Sequence, residues 1–324
     1  MNTHLLIAVD AFTDAHTNTL AHALTSALDG GATWERLPEA APATAFSTAL
    51  TRADIAIGWI EPELIAASAL RVLLCPSVGY EPYLGLGKKR DFTLCNAGDV
   101  YSSGLAEHTL ALMLALVRRL PEYVRAMSNQ TWQHMSGHGE LGGKTVCIVG
   151  LGNMGRRIAG LCAAFGMTVI GVRRSTSIPM PAGVTQVFPA GQLKEAVAHA
   201  DHVVAALPGG NATAKLFDKV VFASMKRGAY FYNLGRGSTV DEAALIDHLQ
   251  IGHLAGAGLD VFAEEPLPES SPLWTMHNVI ITPHTSSGSV QAVLQLRRDT
   301  AQNVVDALCG KLPRSIVNRK ALGW

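Results

Sequence analysis

The chain has 324 residues, more than one hydrophobic core usually holds, so about two domains are expected. Lys plus Arg and Asp plus Glu number 26 each, so the formal net charge is zero and no basic field favours nucleic acid or an anionic membrane surface. The 5 cysteines form no Cys-x-x-Cys pair, which favours reduced thiols in a cytoplasmic protein.

Apolar strands and helices alternate along nearly the whole chain, which predicts parallel sheets covered on both faces. The first hundred residues are expected to form one small doubly wound sheet. Its strands are predicted at residues 4–9, 53–59, 72–75 and 92–95, with a helix at Thr13 to Leu28.

A long apolar helix is predicted from Ser102 to Leu120, ending at Pro121. Because it is apolar on most faces, it must be buried. We expect it to pack both between the domains and against a second subunit. Its longest apolar run, Leu110 to Val117, is too short to span a bilayer.

A glycine-rich loop lies between a predicted strand, residues 144–149, and a predicted helix from Met154 to Phe165. In the G-x-G-x-x-G pattern, the first glycine permits a tight turn, the second lets the backbone approach a pyrophosphate, and the third lets the helix pack on the strand. The diphosphate then rests on the helix N-terminus. The alternative is a glycine turn of another α/β fold, such as one that binds S-adenosylmethionine. The predicted cofactor residues are Gly150, Gly152, Asn153, Met154 and Gly155.

The position that selects between NAD and NADP follows the next predicted strand, residues 167–172. A carboxylate there would bind the ribose hydroxyls of NAD, but the chain has Arg173, Arg174 and Ser175 instead. Guanidinium groups pair with a 2′-phosphate. The sequence therefore predicts NADP (NADPH) as the preferred cofactor, with NAD possible. The alternative is a solvated pair of arginines in a loop.

Three polar segments follow the predicted strands at 229–233, 254–259 and 279–281. Ligands of open α/β sheets bind at the carboxyl ends of strands. The segments contain Arg236, Glu265 and His284, which together suit a 2-keto acid. The arginine could bind the substrate carboxylate, the histidine could donate a proton to the carbonyl oxygen, and the glutamate could orient the imidazole. Each alone is also compatible with an ordinary surface position. A last helix, Val290 to Cys309, is predicted to return to the first domain.

Together these segments resemble the D-isomer-specific 2-hydroxyacid dehydrogenases, which include glyoxylate and hydroxypyruvate reductases and phosphoglycerate dehydrogenase. The resemblance covers nearly the whole chain. It is carried by the motifs at residues 76–80, 105–109, 140–146, 149–155, 207–208, 233–237, 260–266, 272–274, 278–284 and 302–303.

The resemblance implies roles for individual residues. Arg236 would bind the substrate carboxylate, His284 would be the general acid or base, and Glu265 would hydrogen-bond His284. The backbone at Val78 and Gly79 would also bind the substrate. Further cofactor contacts are implied for Leu207, Pro208, Thr213, Asn233, Asp260 and Ser103.

The fold implied by the resemblance is two doubly wound parallel-sheet domains, with a Rossmann nucleotide-binding domain inserted into a flavodoxin-like substrate domain. The boundaries are predicted at 1–98 with 284–324 for the substrate domain, and 99–283 for the nucleotide domain. The expected activity is reduction of a small 2-keto acid, such as glyoxylate or hydroxypyruvate, to the D-2-hydroxy acid. A homodimer is expected, with no metal site, nucleic acid or membrane.

Two other functions stay open. Some relatives of this family are corepressors, so a non-enzymatic dinucleotide sensor is one alternative, and oxidation of another small acid such as phosphite is a second. The shape of the substrate pocket is not specified by the sequence. Candidates to line it are Trp59, Tyr80, Tyr101, Trp274 and Met276.

Overall fold

The chain divides into two compact units in a computed structural model that describes residues 3–8, 32–83, 86, 92–175 and 177–317. Unit 1 is Met1–Tyr101 with Ser289–Trp324, and unit 2 is Ser102–Gly288. The predicted boundaries, at 98/99 and 283/284, fall a few residues earlier. The helix predicted at Thr13 to Leu28 lies outside the described residues.

Unit 1 contains a five-stranded parallel sheet with the order β2-β1-β3-β4-β5. This is the strand order of flavodoxin-like sheets. The strands are β1 (Thr3–Ala8), β2 (Ala32–Arg36), β3 (Ile55–Gly58), β4 (Val72–Leu74) and β5 (Thr93–Cys95). Two short helices, α1 (Ala43–Leu50) and α2 (Pro62–Ala66), belong to the same unit.

Unit 2 contains a seven-stranded parallel sheet with the order β12-β11-β10-β9-β6-β7-β8. The order reverses between β6 and β9, as in Rossmann sheets, and this confirms the predicted fold class. The strands are β6 (Thr145–Val149), β7 (Thr168–Arg173), β8 (Gln186–Pro189), β9 (His202–Ala205), β10 (Ala229–Asn233), β11 (Leu254–Leu259) and β12 (Val279–Ile281).

The helices of unit 2 and the last helix of the chain complete the two units. Those of unit 2 are α3 (Ser102–Val117), α4 (Leu120–Ser128), α5 (Asn153–Ala164), α6 (Leu193–Ala198), α7 (Lys219–Ser224) and α8 (Glu242–Gln250). The last helix, α9 (Val290–Leu308), belongs to unit 1. Within the described ranges, none of the helices has the length and hydrophobicity needed to cross a membrane.

The long apolar helix ends earlier than predicted. α3 stops at Val117 because Arg119 adopts a left-handed conformation, with φ of 57°. Pro121 does not end this helix; it lies in the first turn of α4, where its missing N–H costs no hydrogen bond. Leu112 and Met113 of α3 are buried in the core of unit 2.

Both faces of the unit-2 sheet are buried. Alternate residues of its central strand, β6, point to opposite faces of the sheet. Cys147 and Val149 of β6 lie in one apolar cluster, and Val146 and Ile148 lie in the other together with α3. A strand covered in this way needs a nearly continuous apolar sequence. The sheet is therefore a rigid support for the loops at its carboxyl edge.

Candidate active site

The glycine loop between β6 and α5 is compact at two of its three glycines. Gly150 has φ of 106°, and a Cβ there would lie 2.3 Å from the carbonyl oxygen of Ala206. A Cβ on Gly155 would lie 1.9 Å from the carbonyl oxygen of Gly150. Both positions therefore require glycine for the loop to pack against its own unit.

The middle glycine has a different environment. Gly152 is exposed, and a Cβ there would meet no atom within 4 Å. It precedes the first turn of α5, which begins with Asn153 and Met154 and has no side-chain cap. An open glycine before uncapped helix N–H groups is the cradle that a dinucleotide pyrophosphate needs. The residues present therefore fit a bound dinucleotide.

The arginines at the end of β7 differ in their contacts. The guanidinium of Arg173 donates to the carbonyl oxygens of Ile178 and, at 3.2 Å, Pro179. Its buried Nε has no partner within the described residues. Arg174 and Ser175 are exposed. Arg173 thus shapes its own loop, and Arg174 is the more accessible cation.

Three of the remaining predicted cofactor residues lie after β9. Leu207 is half-buried and Pro208 is exposed, at the carboxyl end of that strand. The hydroxyl of Thr213 donates to the carbonyl oxygens of Pro208 at 2.8 Å and Gly210 at 3.1 Å, so it closes this turn. Ser103 is exposed in the first turn of α3.

Arg236 follows β10 in a turn held by Asn233. The Asn233 side chain accepts from the N–H of Gly235 at 3.1 Å and donates to the carbonyl oxygen of Arg236 at 3.0 Å. The Arg236 side chain is half-buried, and Nη1 donates to the carbonyl oxygen of Gly235 at 2.8 Å. Asn233 itself is only 1% exposed, and its cofactor contact stays a prediction. Its role here is to shape the turn of Arg236.

His284 and Glu265 form a direct hydrogen bond. Nδ1 of His284 lies 2.7 Å from Oε2 of Glu265, and the other oxygen of Glu265 accepts from the N–H of Phe262 at 2.9 Å. The side chain of His284 is 48% exposed, so the ring can be reached by a ligand. Glu265 fixes one ring nitrogen and leaves Nε2 for chemistry.

Asp260 is completely buried behind this histidine. Its carboxylate accepts hydrogen bonds from the hydroxyl of Thr282 at 2.6 Å, the N–H of Thr285 at 3.0 Å, and the N–H and hydroxyl of Ser286. The contact of Asp260 with the nicotinamide carboxamide stays a prediction. Asp260 also holds the loop that carries His284.

The predicted substrate loop lies after β4 in unit 1. Its carbonyl groups are all occupied: Pro76 accepts from the hydroxyl of Tyr101 at 2.6 Å, Ser77 from the N–H of Ala97, Val78 from the amide of Asn96, and Gly79 from the hydroxyl of Ser77. Burial raises the pKa of Tyr101, which keeps its hydroxyl protonated as a donor. Within the described residues, the N–H groups of Val78 and Gly79 have no acceptor.

The comparisons with known proteins agree on one family. Residues 110–286 match the model of the D-isomer specific 2-hydroxyacid dehydrogenase, NAD binding domain. A glyoxylate/hydroxypyruvate reductase B of Salmonella schwarzengrund is 35% identical over 261 residues, which cover 79% of this chain and 80% of the relative. This chain belongs to the D-isomer-specific 2-hydroxyacid dehydrogenase family.

Other members of the family differ in length and in the reactions their names describe. The D-3-phosphoglycerate dehydrogenase of Mycobacterium tuberculosis is 36% identical over 258 residues, which are 79% of this chain but 48% of that protein. The chain thus spans about half the length of these relatives. A solved NADPH-dependent glyoxylate/hydroxypyruvate reductase from Sinorhizobium meliloti, in complex with NADP and sulfate, aligns with a TM-score of 0.81, 27% identity and 99% of each chain.

Several residues that shape this 2-hydroxyacid dehydrogenase site were not predicted. Thr282 and Ser286 flank His284 in sequence, and the density of hydroxyl groups in that segment was the available signal. Asn96 supports the substrate loop from another part of the chain, so no local pattern identifies it. Tyr101, predicted only as a residue that could line the pocket, supports the same loop. Among the pocket candidates, Trp59 stacks on Tyr83, with ring centroids 6.1 Å apart.

Proposed function

We propose that this protein reduces a small 2-keto acid, of the size of glyoxylate or hydroxypyruvate, to the D-2-hydroxy acid with NADPH. The observation that carries this proposal is the hydrogen bond between His284 and Glu265 at the carboxyl end of the unit-2 sheet. A half-exposed imidazole oriented by a carboxylate is suited to general acid catalysis. The glycine cradle beside β6 gives the same sheet edge a place for a dinucleotide.

The proton transfer follows from the orientation of the ring. Nδ1–H of His284 donates to Glu265, so Nε2 faces the substrate. In the protonated imidazolium, Nε2–H donates a proton to the C2 oxygen of the keto acid as that carbon is reduced. The histidine then regains a proton from water. When bound, reduced nicotinamide supplies the hydride, and the sum is keto acid plus NADPH plus H⁺ giving hydroxy acid plus NADP⁺.

Arg236 of unit 2 is proposed to bind the substrate carboxylate, because the fork of its guanidinium matches the two oxygens of a carboxylate. Within unit 1, the N–H groups of Val78 and Gly79 are proposed by themselves as donors to an anion. Their loop is held by hydrogen bonds to all four of its carbonyl groups, which favours an N–H pair that is preorganised for an anion.

NADPH is proposed as the preferred reductant because the ribose position has no acid. Arg174 and Ser175 are exposed there and supply donors for a 2′-phosphate. Thr213, Leu207 and Pro208 are proposed to line the adenosine side of the cofactor. Ser103 is proposed as a further cofactor contact.

The protein is also proposed to form a homodimer. Leu120, Val124 and Met127 are exposed apolar residues at helical spacing on α4, and the neighbouring Trp132 is 92% exposed. An exposed apolar group of this kind marks an interaction surface. The interface predicted on α3 stays a prediction, and α4 with Trp132 is proposed as a further part of it.

Steady-state oxidation of NADPH and NADH with a panel of 2-keto acids tests the proposal. We expect turnover of glyoxylate or hydroxypyruvate, with a higher kcat/KM for NADPH. Tight binding of NADPH without turnover of any keto acid would contradict the enzymatic proposal and favour a dinucleotide sensor. Including phosphite in the oxidative direction tests the other alternative. A phosphorylated keto acid in the panel distinguishes a phosphoglycerate dehydrogenase-like specificity.

A further inference from the structure

A chain of hydrogen bonds runs from helix α3 to the loop of His284. Nε2 of His108 lies 3.1 Å from the hydroxyl oxygen of Thr282, and that hydroxyl lies 2.6 Å from Oδ1 of Asp260. Asp260 in turn accepts from the backbone and side chain of Ser286. All of these residues belong to unit 2.

The direction of each hydrogen bond follows from the chemistry of the groups. The hydroxyl of Thr282 has one proton, and the ionised carboxylate of Asp260 can only accept. Thr282 therefore donates to Asp260 and accepts from His108, which must carry its proton on Nε2. The chain of hydrogen bonds from His108 to Asp260 thus has a single consistent arrangement of protons.

This chain of hydrogen bonds supports a backbone conformation at His284 that would otherwise be unfavourable. His284 has φ of 53°, in the left-handed region that non-glycine residues rarely adopt. Its N–H donates at 2.8 Å to the carbonyl oxygen of Asp260, and the following N–H groups of Thr285 and Ser286 donate to the Asp260 carboxylate. The turn that aims the imidazole is therefore wrapped around one buried carboxylate.

We infer that Asp260, Thr282 and His108 are positioning residues that hold His284 in its reactive orientation. The inference rests on the proposed function for its effect on turnover. Asp260 acts on the loop, because its carboxylate is fully buried and accepts donors on both oxygens. Glu265 orients the ring from one side, and Asp260 fixes the backbone beneath it.

The test uses Thr282→Val, which keeps the shape of the side chain but removes its hydroxyl. We expect kcat to fall roughly tenfold because a hydrogen bond to a buried charge is lost. The dissociation constant of NADPH should stay within about twofold, since no bond to the cofactor is removed. Thr282→Ser restores the hydroxyl and should restore most of kcat. His108→Leu should lower kcat in the same way, and His108→Gln, which keeps an N–H donor, should lower it less.

A pair of adjacent serines provides a matched control. Ser286→Ala removes a hydroxyl that donates to Asp260, whereas Ser287 has no hydrogen bond within the described residues. We expect Ser286→Ala to lower kcat and Ser287→Ala to leave it unchanged. Asp260→Asn should lower kcat most, because the NH2 group of the asparagine would face N–H and O–H donors from which it cannot accept a hydrogen bond. If that variant does not fold, the Thr282 pair carries the test.

A second readout does not depend on turnover. In the protein labelled with ¹³C-histidine, the NMR signal of His284 can be assigned by its absence in His284→Ala. We expect one narrow signal in the wild type and a broadened or split signal in Thr282→Val. Wild-type kcat and an unchanged signal in Thr282→Val would overturn the inference. So would an Asp260→Asn protein that binds NADPH much more weakly but keeps its kcat. If the wild type reduces no keto acid, the proposed function fails, and the NMR comparison still decides the positioning role.

Discussion

Glu265 contacts both the ring of His284 and the backbone of its own turn. Oε2 lies 2.7 Å from Nδ1 of His284, and Oε1 accepts from the N–H of Phe262 at 2.9 Å. The second bond fixes the carboxylate, so the first can fix the ring. The imidazole therefore presents Nε2, and a change at either residue should affect proton transfer more than cofactor binding.

His284→Ala should lower kcat by about 10² to 10⁴, the usual contribution of a general acid. Glu265→Gln should lower kcat less, because its amide oxygen can still accept from Nδ1–H, although it loses the charge that stabilises imidazolium. Stopped-flow and equilibrium binding of NADPH measure the two effects separately. A His284→Ala protein that retains near wild-type turnover would remove the proton-transfer role.

The glycines of the cofactor loop should respond differently to alanine. Gly155→Ala places a Cβ 1.9 Å from the carbonyl oxygen of Gly150, and overpacking of this kind costs roughly 1–3 kcal/mol of unfolding free energy. Gly152→Ala meets no protein atom, so the melting temperature should hardly change. It should instead weaken NADPH binding, since the methyl group occupies the pyrophosphate cradle. Equal NADPH affinity in Gly152→Ala and the wild type would contradict the placement of the cofactor.

Cofactor preference should depend on the arginines after β7. Arg174→Ala should lower the ratio of kcat/KM for NADPH to that for NADH by roughly tenfold, because a cation for the 2′-phosphate is lost. Arg173→Asp should shift the preference further toward NADH, but it also removes the bonds to Ile178 and Pro179. Arg227→Ala is the control, since Arg227 precedes β10 at the amino end of the sheet. An unchanged ratio in both Arg173 and Arg174 variants would refute the NADPH preference.

A buried histidine outside the site should make stability depend on pH. Burial lowers the pKa of His202 to about 4, and its ring stacks between Tyr230 and Tyr232. The unfolded chain binds this proton near pH 6.5, so between these values protonation favours unfolding. The contribution of His202 is present above about pH 6.5 and is lost as the pH falls toward about 4.

Urea unfolding of His202→Phe near pH 7 and near pH 5 tests this effect. The wild type should lose about 2 kcal/mol more unfolding free energy over this interval than the variant, which has no titrating ring. Phenylalanine keeps the stacking but leaves the hydroxyl of Tyr232 without its partner at 3.1 Å. That loss is independent of pH in this interval, so it cancels in the comparison. The same pH dependence in both proteins would assign it to other groups.

The homodimer should depend on the apolar face of α4. Val124→Glu combined with Met127→Glu should convert a dimer to a monomer in analytical ultracentrifugation, because both side chains are exposed within unit 2 and contribute little to its core. Val220→Glu on α7 is the control, since Val220 is similarly exposed. A wild-type protein that is monomeric at all concentrations would show that this face has no second copy as its partner.

Most of the buried strands could be predicted from the sequence to within a residue, although β3 begins two residues later than predicted. The bounds of β10, β11 and β12 match the predicted ones because each is a short apolar run between turn residues. β2 and β8 were missed. Both are edge strands with partly exposed side chains, so their sequences lack a continuous apolar run.

The contacts within the site could be predicted only in part. The spacing of Arg236, Glu265 and His284 after successive strands indicated a shared sheet edge. The burial of Asp260 and the use of Arg173 to hold residues 178–179 depend on loop conformations that no local pattern specifies. A polar residue at a strand end is equally compatible with binding a ligand and with shaping a turn.

The most direct test of the central claim follows the hydride and the stereochemistry together. The protein is incubated with glyoxylate or hydroxypyruvate and NADPH deuterated at C4 of the nicotinamide, once with each face labelled. For hydroxypyruvate, the account predicts D-glycerate that carries one deuterium at C2 from one labelled face only, and no such product with His284→Ala. Formation of the L-enantiomer, or NADPH binding without labelled product from either acid, would contradict it.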